Sequence, residues 1–437
     1  MNPGPRGFPP LSCGPKPRIL TKLDDGPTDG VSVSVPYFRF GFVFSVVTRI
    51  WLGLGVEKIQ VFLRELQRPF VGREEEARLV VLTLLAREHA VLIGEPGVAK
   101  SAIVRRAADL LNARFFKYLL TRFTEPAELF GPLDIKALED GRYVRLTRGK
   151  LPEADIAFLD EVFKANSAIL NALNSILQER IVYDGYSEIR TPLWSLFGAS
   201  NEVPDEPEVE AFYDRFLVRH FVRPLPEDMW GDLLDRTWEL ERAMYFGDFD
   251  GKPVMSIDDL RAYHERVLNV RFDAVKQKLV KVFAVLESRG IHLSDRRKGK
   301  ALKLIAANAV LEGRDEVIEK DLLVLKYVAA KDWDELEKVN AVLADELKTP
   351  YKYLRELEEI KINVRETKNY VISLEHIESR YIDLRFKQML RDLEITKDRV
   401  IAMMLESGDP NVERAANEVI ELIEETAERI RRRLRGE

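Results

Sequence analysis

A single cysteine, Cys13, stands among 437 residues, so no internal disulfide can form and the chain suits a reducing, cytoplasmic compartment. Long apolar runs are missing as well. The most apolar stretch near the start, Phe40 to Thr48, has nine uncharged residues between Arg39 and Arg49, whereas a membrane-spanning helix needs about 20. It also lies too far from Met1 for a signal peptide. Strong charge of either sign is absent: 67 Lys and Arg against 73 Asp and Glu give −6 and a pI near 5.7. That balance offers nucleic acid no global attraction, although a local basic patch stays open. Glutamine is scarce at five residues, while charged residues reach 32%, above the ~25% of ordinary domains, a combination that leans towards a thermophilic source. No internal repeat is visible.

What is present is a globular composition, 46% apolar, with enough chain for two or three cores. Residues 1–55 differ from the rest: Pro and Gly are dense up to Gly30 and no period holds, which reads either as a disordered arm or as an extension of the gene model. Residues 56–223 alternate short apolar runs (Ala90–Ile93, Phe115–Leu120, Ile156–Leu159, Leu193–Ala199, Leu217–Val222) with helical stretches. Such alternation predicts an α/β layer on a mainly parallel sheet. Residues 224–347 read as an all-α domain, and 348–437 as a charged helical hairpin or coiled-coil arm. There Val412, Ala416, Val419, Ile423 and Ile430 keep a four-three spacing behind the N-cap pair Asp409-Pro410. Packing on its own domain and binding a partner are both open to this arm.

Chemistry concentrates in a few places. Gly94, Glu95, Pro96, Gly97, Val98, Ala99, Lys100 and Ser101 follow one apolar run and open an apolar helix. This is the phosphate-binding pattern G-x-x-x-x-G-K-[ST]: backbone N–H groups turned towards phosphates, a lysine for their charge and a hydroxyl for Mg²⁺. Only the last glycine is replaced, by Ala99, which is tolerable if that position has helical dihedrals. Sixty residues beyond Lys100, the run Ile156–Leu159 ends in Asp160 and Glu161. Two carboxylates at a buried strand end need partners, and a magnesium–nucleotide site supplies them, with Asp160 towards the metal and Glu161 towards the attacking water. The run Leu196–Ser200 ends in Asn201, which either reaches the γ-phosphate or caps a turn. Asp214-Arg215-Phe216 offers Arg215 either as a cation for a neighbour's phosphate or as half of a surface pair with Asp214, with Arg219 as the next candidate.

The ordered set GEPGVAKS, IAFLDE, FGASN, YDRF and HLSDRR resembles the MoxR family of AAA+ ATPases, most of all its RavA subgroup. So do the stretches TRFTEPAELFGPL and GRYVRLTRGKLPEADIAFLDEVFKAN, and Ala99 itself. The likeness spans about residues 69–335, fades over the C-terminal helices and is absent from the first 55 residues. It implies an AAA+ module with a helical lid, ATP and Mg²⁺ as ligands, and ring assembly, typically hexameric. Lys100 and Ser101 would match Walker A, Asp160 and Glu161 Walker B, Asn201 sensor 1 and Arg215 the arginine finger. Arg296 would match sensor 2, with the adjacent Arg297 as the alternative. The family's members are chaperone-like helpers whose frequent partners carry a von Willebrand factor A domain. The RavA subgroup's β-rich insert has no counterpart in this sequence.

Two segments carry Asp-Gly hairpin signals, Leu133–Leu146 around Asp140-Gly141 and Ile181–Ile189 around Asp184-Gly185. They are either simple hairpins or working pore elements. Their tips are acidic, which argues against following a phosphate backbone and so against a nucleic-acid translocase. A nucleotide-gated scaffold is the remaining rival, opposed by the presence of Glu161 and Arg215.

Overall fold

The computed structural model describes residues 56–184, 187–246, 252–347, 349–374 and 379–435; the expectation for residues 1–55 falls outside them. Two helices open the described chain, α1 (Val56–Gln67) and α2 (Glu74–Ala86). On α1 the buried residues Ile59, Phe62, Leu63 and Leu66 recur at helical spacing and so share one face. Then follow β1 (Ala90–Ile93), α3 (Lys100–Leu110), β2 (Phe115–Leu119), the short helices α4 (Pro126–Phe130) and α5 (Ile135–Glu139), β3 (Ile156–Asp160) and α6 (Ser167–Glu179). The module closes with β4 (Ile181–Asp184), β5 (Ser187–Arg190), β6 (Ser195–Ser200), α7 (Pro207–Tyr213) and β7 (Val218–Phe221).

Five strands pair in parallel in the order β2-β3-β6-β1-β7. Every residue of β1, β6 and β7 is buried, as expected of strands covered by helices on both faces. The β2 edge strand alternates in exposure instead. Because the strands are parallel, β1, β3, β6 and β7 all deliver their carboxyl ends to one edge, where ligands of open α/β sheets collect.

The antiparallel pair β4–β5 flanks the segment where a hairpin is expected, while its turn residues Gly185 and Tyr186 lie outside the described residues. Over Leu133–Leu146 the expectation fails. Asp134 accepts hydrogen bonds from the Lys136 and Ala137 amides and starts helix α5, and Gly141, at φ 74°, ends it. A glycine that accepts left-handed dihedrals serves a helix C-terminus as readily as a hairpin turn, so Asp-Gly was ambiguous. An antiparallel bridge from Leu133 to Arg145 closes this insert. Its base is tight, since a Cβ on Gly131 would lie 2.1 Å from the Leu146 carbonyl oxygen.

An all-helical region follows, comprising α8 (Trp230–Phe246), α9 (Ile257–Leu268), α10 (Lys276–Ser288), α11 (Asp295–Leu311), α12 (Lys326–Ala329) and α13 (Trp333–Leu347). Beyond it α14 (Pro350–Leu374), α15 (Arg380–Ser407) and α16 (Pro410–Arg435) pack on one another around a core of their own. Leu357, Val364 and Val371 repeat every seven residues, as do Phe386, Leu393 and Val400, and all are buried. That is the heptad repeat of packed helices. The expected hairpin thus has a third partner, α14, whose apolar stripe covers the other two. Ion pairs Lys361–Glu418 and Lys368–Glu425, each 2.7 Å, repeat at the same interval.

Candidate nucleotide site

The loop between β1 and α3 is shaped by close approach. A Cβ on Gly94 would lie 2.3 Å from the Val222 carbonyl oxygen, just past β7, so only glycine lets the loop leave β1 there. Gly97 is left-handed at φ 88°. So is Ala99, at φ 64° and ψ 12°, so the condition under which alanine would be tolerated there without cost, helical dihedrals, is not met. The loop needs that turn to aim α3 at the site, and Ala99 bears the steric cost that a glycine would avoid. Lys100 begins α3 and is buried. Its Nζ donates to the carbonyls of Gly94, Glu95 (3.3 Å) and, on β6, Ser200 (3.2 Å). Burial pulls the ammonium pKa down, and the charges of Asp160 and Glu161 pull it back up. Ser101 follows in the first turn, half-buried.

At the end of β3, Asp160 Oδ1 accepts from the Glu161 amide at 3.2 Å. Glu161 is itself left-handed, φ 51° and ψ 45°, an uncommon conformation for a side-chain-bearing residue. Its carboxylate accepts from Asn201 Nδ2 at 2.8 Å and pairs with Lys164 at 3.3 Å. The structure therefore brings Gly94–Ser101, Asp160, Glu161 and Asn201 to one edge of the sheet, from three different strands. Among the described residues no group of three or more His, Cys, Asp or Glu could hold a metal by protein ligands alone. The donor set suits Mg²⁺, which takes few carboxylates and completes its shell from phosphates and water.

Arg215 and Arg296 lie elsewhere. Arg215 precedes β7, whose first residue is level with the first residue of β1. It therefore stands at the amino end of the sheet, about 13 Å of strand (~3.3 Å per residue) from the loop of its own chain. Arg296 is exposed at the start of α11 beside it, across a cavity of about 180 Å³ also lined by Gln178 and Lys300. Burial, with Arg296 nearby, depresses the Arg215 pKa. The Asp214 carboxylate pairs with Arg219 (3.2 Å) and Arg297 (3.4 Å). Arg219 is buried and lies 4.1 Å over the Tyr213 ring, so it is not placed to reach outwards. Arg297 is buried too, its pKa drawn down to about 9 chiefly by desolvation, and it still carries charge at neutral pH.

A family model described as the MoxR domain of MoxR–vWA–beta-propeller ternary systems matches residues 57–265, and an AAA lid domain model matches 273–343. An uncharacterized protein of Methanocaldococcus jannaschii, MJ0812, is 44% identical over 65% of this chain and 74% of its own length. The chain belongs to the MoxR family of AAA+ ATPases. The chaperone MoxR1 of Mycobacterium tuberculosis is 26% identical over 62% of this chain and 74% of its own length. In fold, the chain matches a solved structure from Cytophaga hutchinsonii, described as a candidate ATPase, with TM-score 0.57 at 18% identity, covering 70% of this chain and 98% of that one.

Within this MoxR-family chain, several contacts had no signal in the sequence. Glu88, just before β1, is buried and grips Lys300 (2.9 Å) and Lys303 (2.6 Å) of α11, fixing the lid to the amino end of the sheet. Burial would raise its pKa, but the two ammonium groups hold it below the usual value. Near the other end, Gly72–Glu76, Arg223–Pro226 and lid residues Tyr327 and Trp333 surround a cavity of about 620 Å³. It adjoins Val222, against which Gly94 packs.

Proposed function

We propose that this chain hydrolyses ATP with Mg²⁺ within a ring of its own copies, typically six, and uses the cycle to remodel or assemble a protein partner. The observation that supports it most is the Asn201–Glu161 bond of 2.8 Å beside Lys100 and Asp160. A carboxylate held by an amide at a strand end, next to a phosphate loop, is placed to orient and deprotonate a water. Lys100 would exchange its loop carbonyls for phosphate oxygens, which its charge binds more strongly. The amides of Gly94–Ser101, at the start of α3, would face the same oxygens. Ser101 and Asp160 would hold Mg²⁺, which neutralises phosphate charge when bound. The base would fit the cavity beyond Val222. Arg215 and Arg296, remote from their own loop, would serve the nucleotide of the next subunit.

The family description, which names a von Willebrand factor A component, supports a partner bearing that domain, and the MoxR1 name supports a chaperone-like role. Placement near the RavA subgroup rests on the sequence stretches quoted above. The acidic pI fits a protein substrate rather than DNA. The test is Glu161→Gln. It keeps the acceptor for Asn201 but cannot take a proton, so ATP should still bind while kcat falls about 10²-fold or more. Phosphate release at the wild-type rate would remove Glu161 as the base.

A further inference from the structure

Four residues, Asp214 to Leu217, connect α7 to β7 and include Arg215. The carbonyls of three of them are held by one side chain from the lid. Arg297 Nη1 donates to the oxygens of Asp214 (3.1 Å) and Phe216 (2.9 Å), and Nη2 to that of Leu217 (2.8 Å). The same guanidinium reaches the Val328 carbonyl on α12 through Nε (3.3 Å) and Nη2 (2.7 Å). Its planar fork thus spans the connecting segment on one side and the lid on the other, a geometry that a lysine cannot reproduce. The segment is tied again where Tyr213 donates to the Lys331 carbonyl at 2.6 Å. From beneath, Phe216 rests on Gly198, where a Cβ would come within 3.3 Å of the ring.

A buried charge is a poor device for stability alone, because its desolvation offsets much of what its contacts supply. Here it does something an apolar residue could not. It fixes the carbonyls on both sides of Arg215, and so fixes the direction in which that side chain leaves the backbone. The helix that carries Arg297 also carries Arg296, Lys300 and Lys303. The lid and the segment bearing Arg215 therefore form one body at the amino end of the sheet.

We propose that Arg297 is the positioning residue for Arg215, through which the lid of one subunit sets the arginine presented to the next subunit's nucleotide. This rests on the reading of Arg215 as acting across the subunit boundary.

The two ideas separate in a mixing experiment. Arg297→Lys, Arg215→Ala and Lys100→Ala proteins are prepared, checked by circular dichroism, and mixed in pairs, with subunit exchange followed by native mass spectrometry. Arg297→Lys alone should keep KM for ATP within about twofold and lose about 10²-fold in kcat, part of the ~10³-fold or more that an arginine finger supplies. Mixed with Lys100→Ala, whose Arg215 is intact, it should regain activity, as Arg215→Ala should in the same mixture. Mixed with Arg215→Ala it should not, because neither protein offers a positioned arginine. A merely structural role would move KM or thermal stability and would show no such partner dependence. The proposal is overturned if Arg297→Lys raises KM with kcat intact, if it rescues Arg215→Ala, or if Lys100→Ala rescues Arg215→Ala but not Arg297→Lys. Failure of the Arg215→Ala and Lys100→Ala mixture to regain activity despite exchange removes the finger reading, and the proposal with it. Should Arg297→Lys not fold, Asp214→Asn removes the negative charge that Arg297 shares with Arg219 and leaves the four carbonyl contacts of Arg297 in place. It should lower kcat about tenfold with the same partner pattern, and an unchanged kcat overturns the proposal.

Discussion

Replacing Ala99 by glycine should stabilise the protein, although the substitution removes a methyl group that packs against the core. At φ 64° and ψ 12° the Ala99 side chain crowds its own backbone, a strain of about 1–2 kcal/mol for any L residue other than glycine. Relief of that strain is opposed by two smaller terms. Glycine loses more backbone freedom on folding, about 0.5–1 kcal/mol. Ala99 is only partly buried against the core, so losing its methyl costs roughly half of the ~0.8 kcal/mol of a fully buried group. The net is a gain of about 0.3 kcal/mol, the small difference of these three terms. Valine goes the other way, since a β-branched side chain is an outlier at positive φ, and Ala99→Val should lose about 2 kcal/mol or more relative to glycine. Urea unfolding followed by far-UV circular dichroism separates the two variants, and ATP titration gives the functional counterpart. Glycine should leave KM unchanged, whereas valine should raise it as the loop is displaced. Loss of more than about 1 kcal/mol in Ala99→Gly, against the balance above, would refute the left-handed assignment and the reasoning built on it. So would a valine variant as stable as the parent.

Gly94→Ala should disable the loop outright, because the new Cβ would lie 2.3 Å from a β7-adjacent carbonyl that cannot retreat without breaking sheet pairing; nucleotide binding measured by calorimetry should be lost, and wild-type affinity would show that the approach is looser than described. His89 is fully buried, accepts from the Leu196 amide at 3.0 Å through Nδ1, and so carries its proton on Nε2 towards the Leu177 carbonyl. Burial holds its pKa at about 3, below the ordinary 6.5, so the unfolded chain takes up the proton first and stability falls as pH drops from about 6.5 towards 3. Melting temperature against pH should show that slope, and His89→Gln, less stable overall, should flatten it; an unchanged slope would assign the acid sensitivity to other groups.

The chain alone determined the elements and the local chemistry. Apolar runs of four to seven residues between helical stretches mark the five parallel strands, because a strand buried on both faces is mostly apolar. The phosphate loop and the Asp160-Glu161 pair were legible because each is a contiguous segment whose function depends on neighbours in sequence. What the chain left open depended on which atoms meet across it. The left-handed dihedrals of Ala99 are not legible from the residue itself, because an alanine seldom adopts them. Asp140-Gly141 satisfies a hairpin and a helix end equally, and Asp134 with its two amides decides for the helix. Arg296 and Arg297 are chemically identical neighbours. Successive helix positions are turned about 100° from one another, so packing of α11 against the sheet exposes the first and buries the second. Only the tertiary fold decides that Lys100, Asp160 and Asn201 share one end of the sheet while Arg215 and Arg296 share the other. Strand order and direction, set by long-range pairing rather than by local sequence, assign each strand end to its edge.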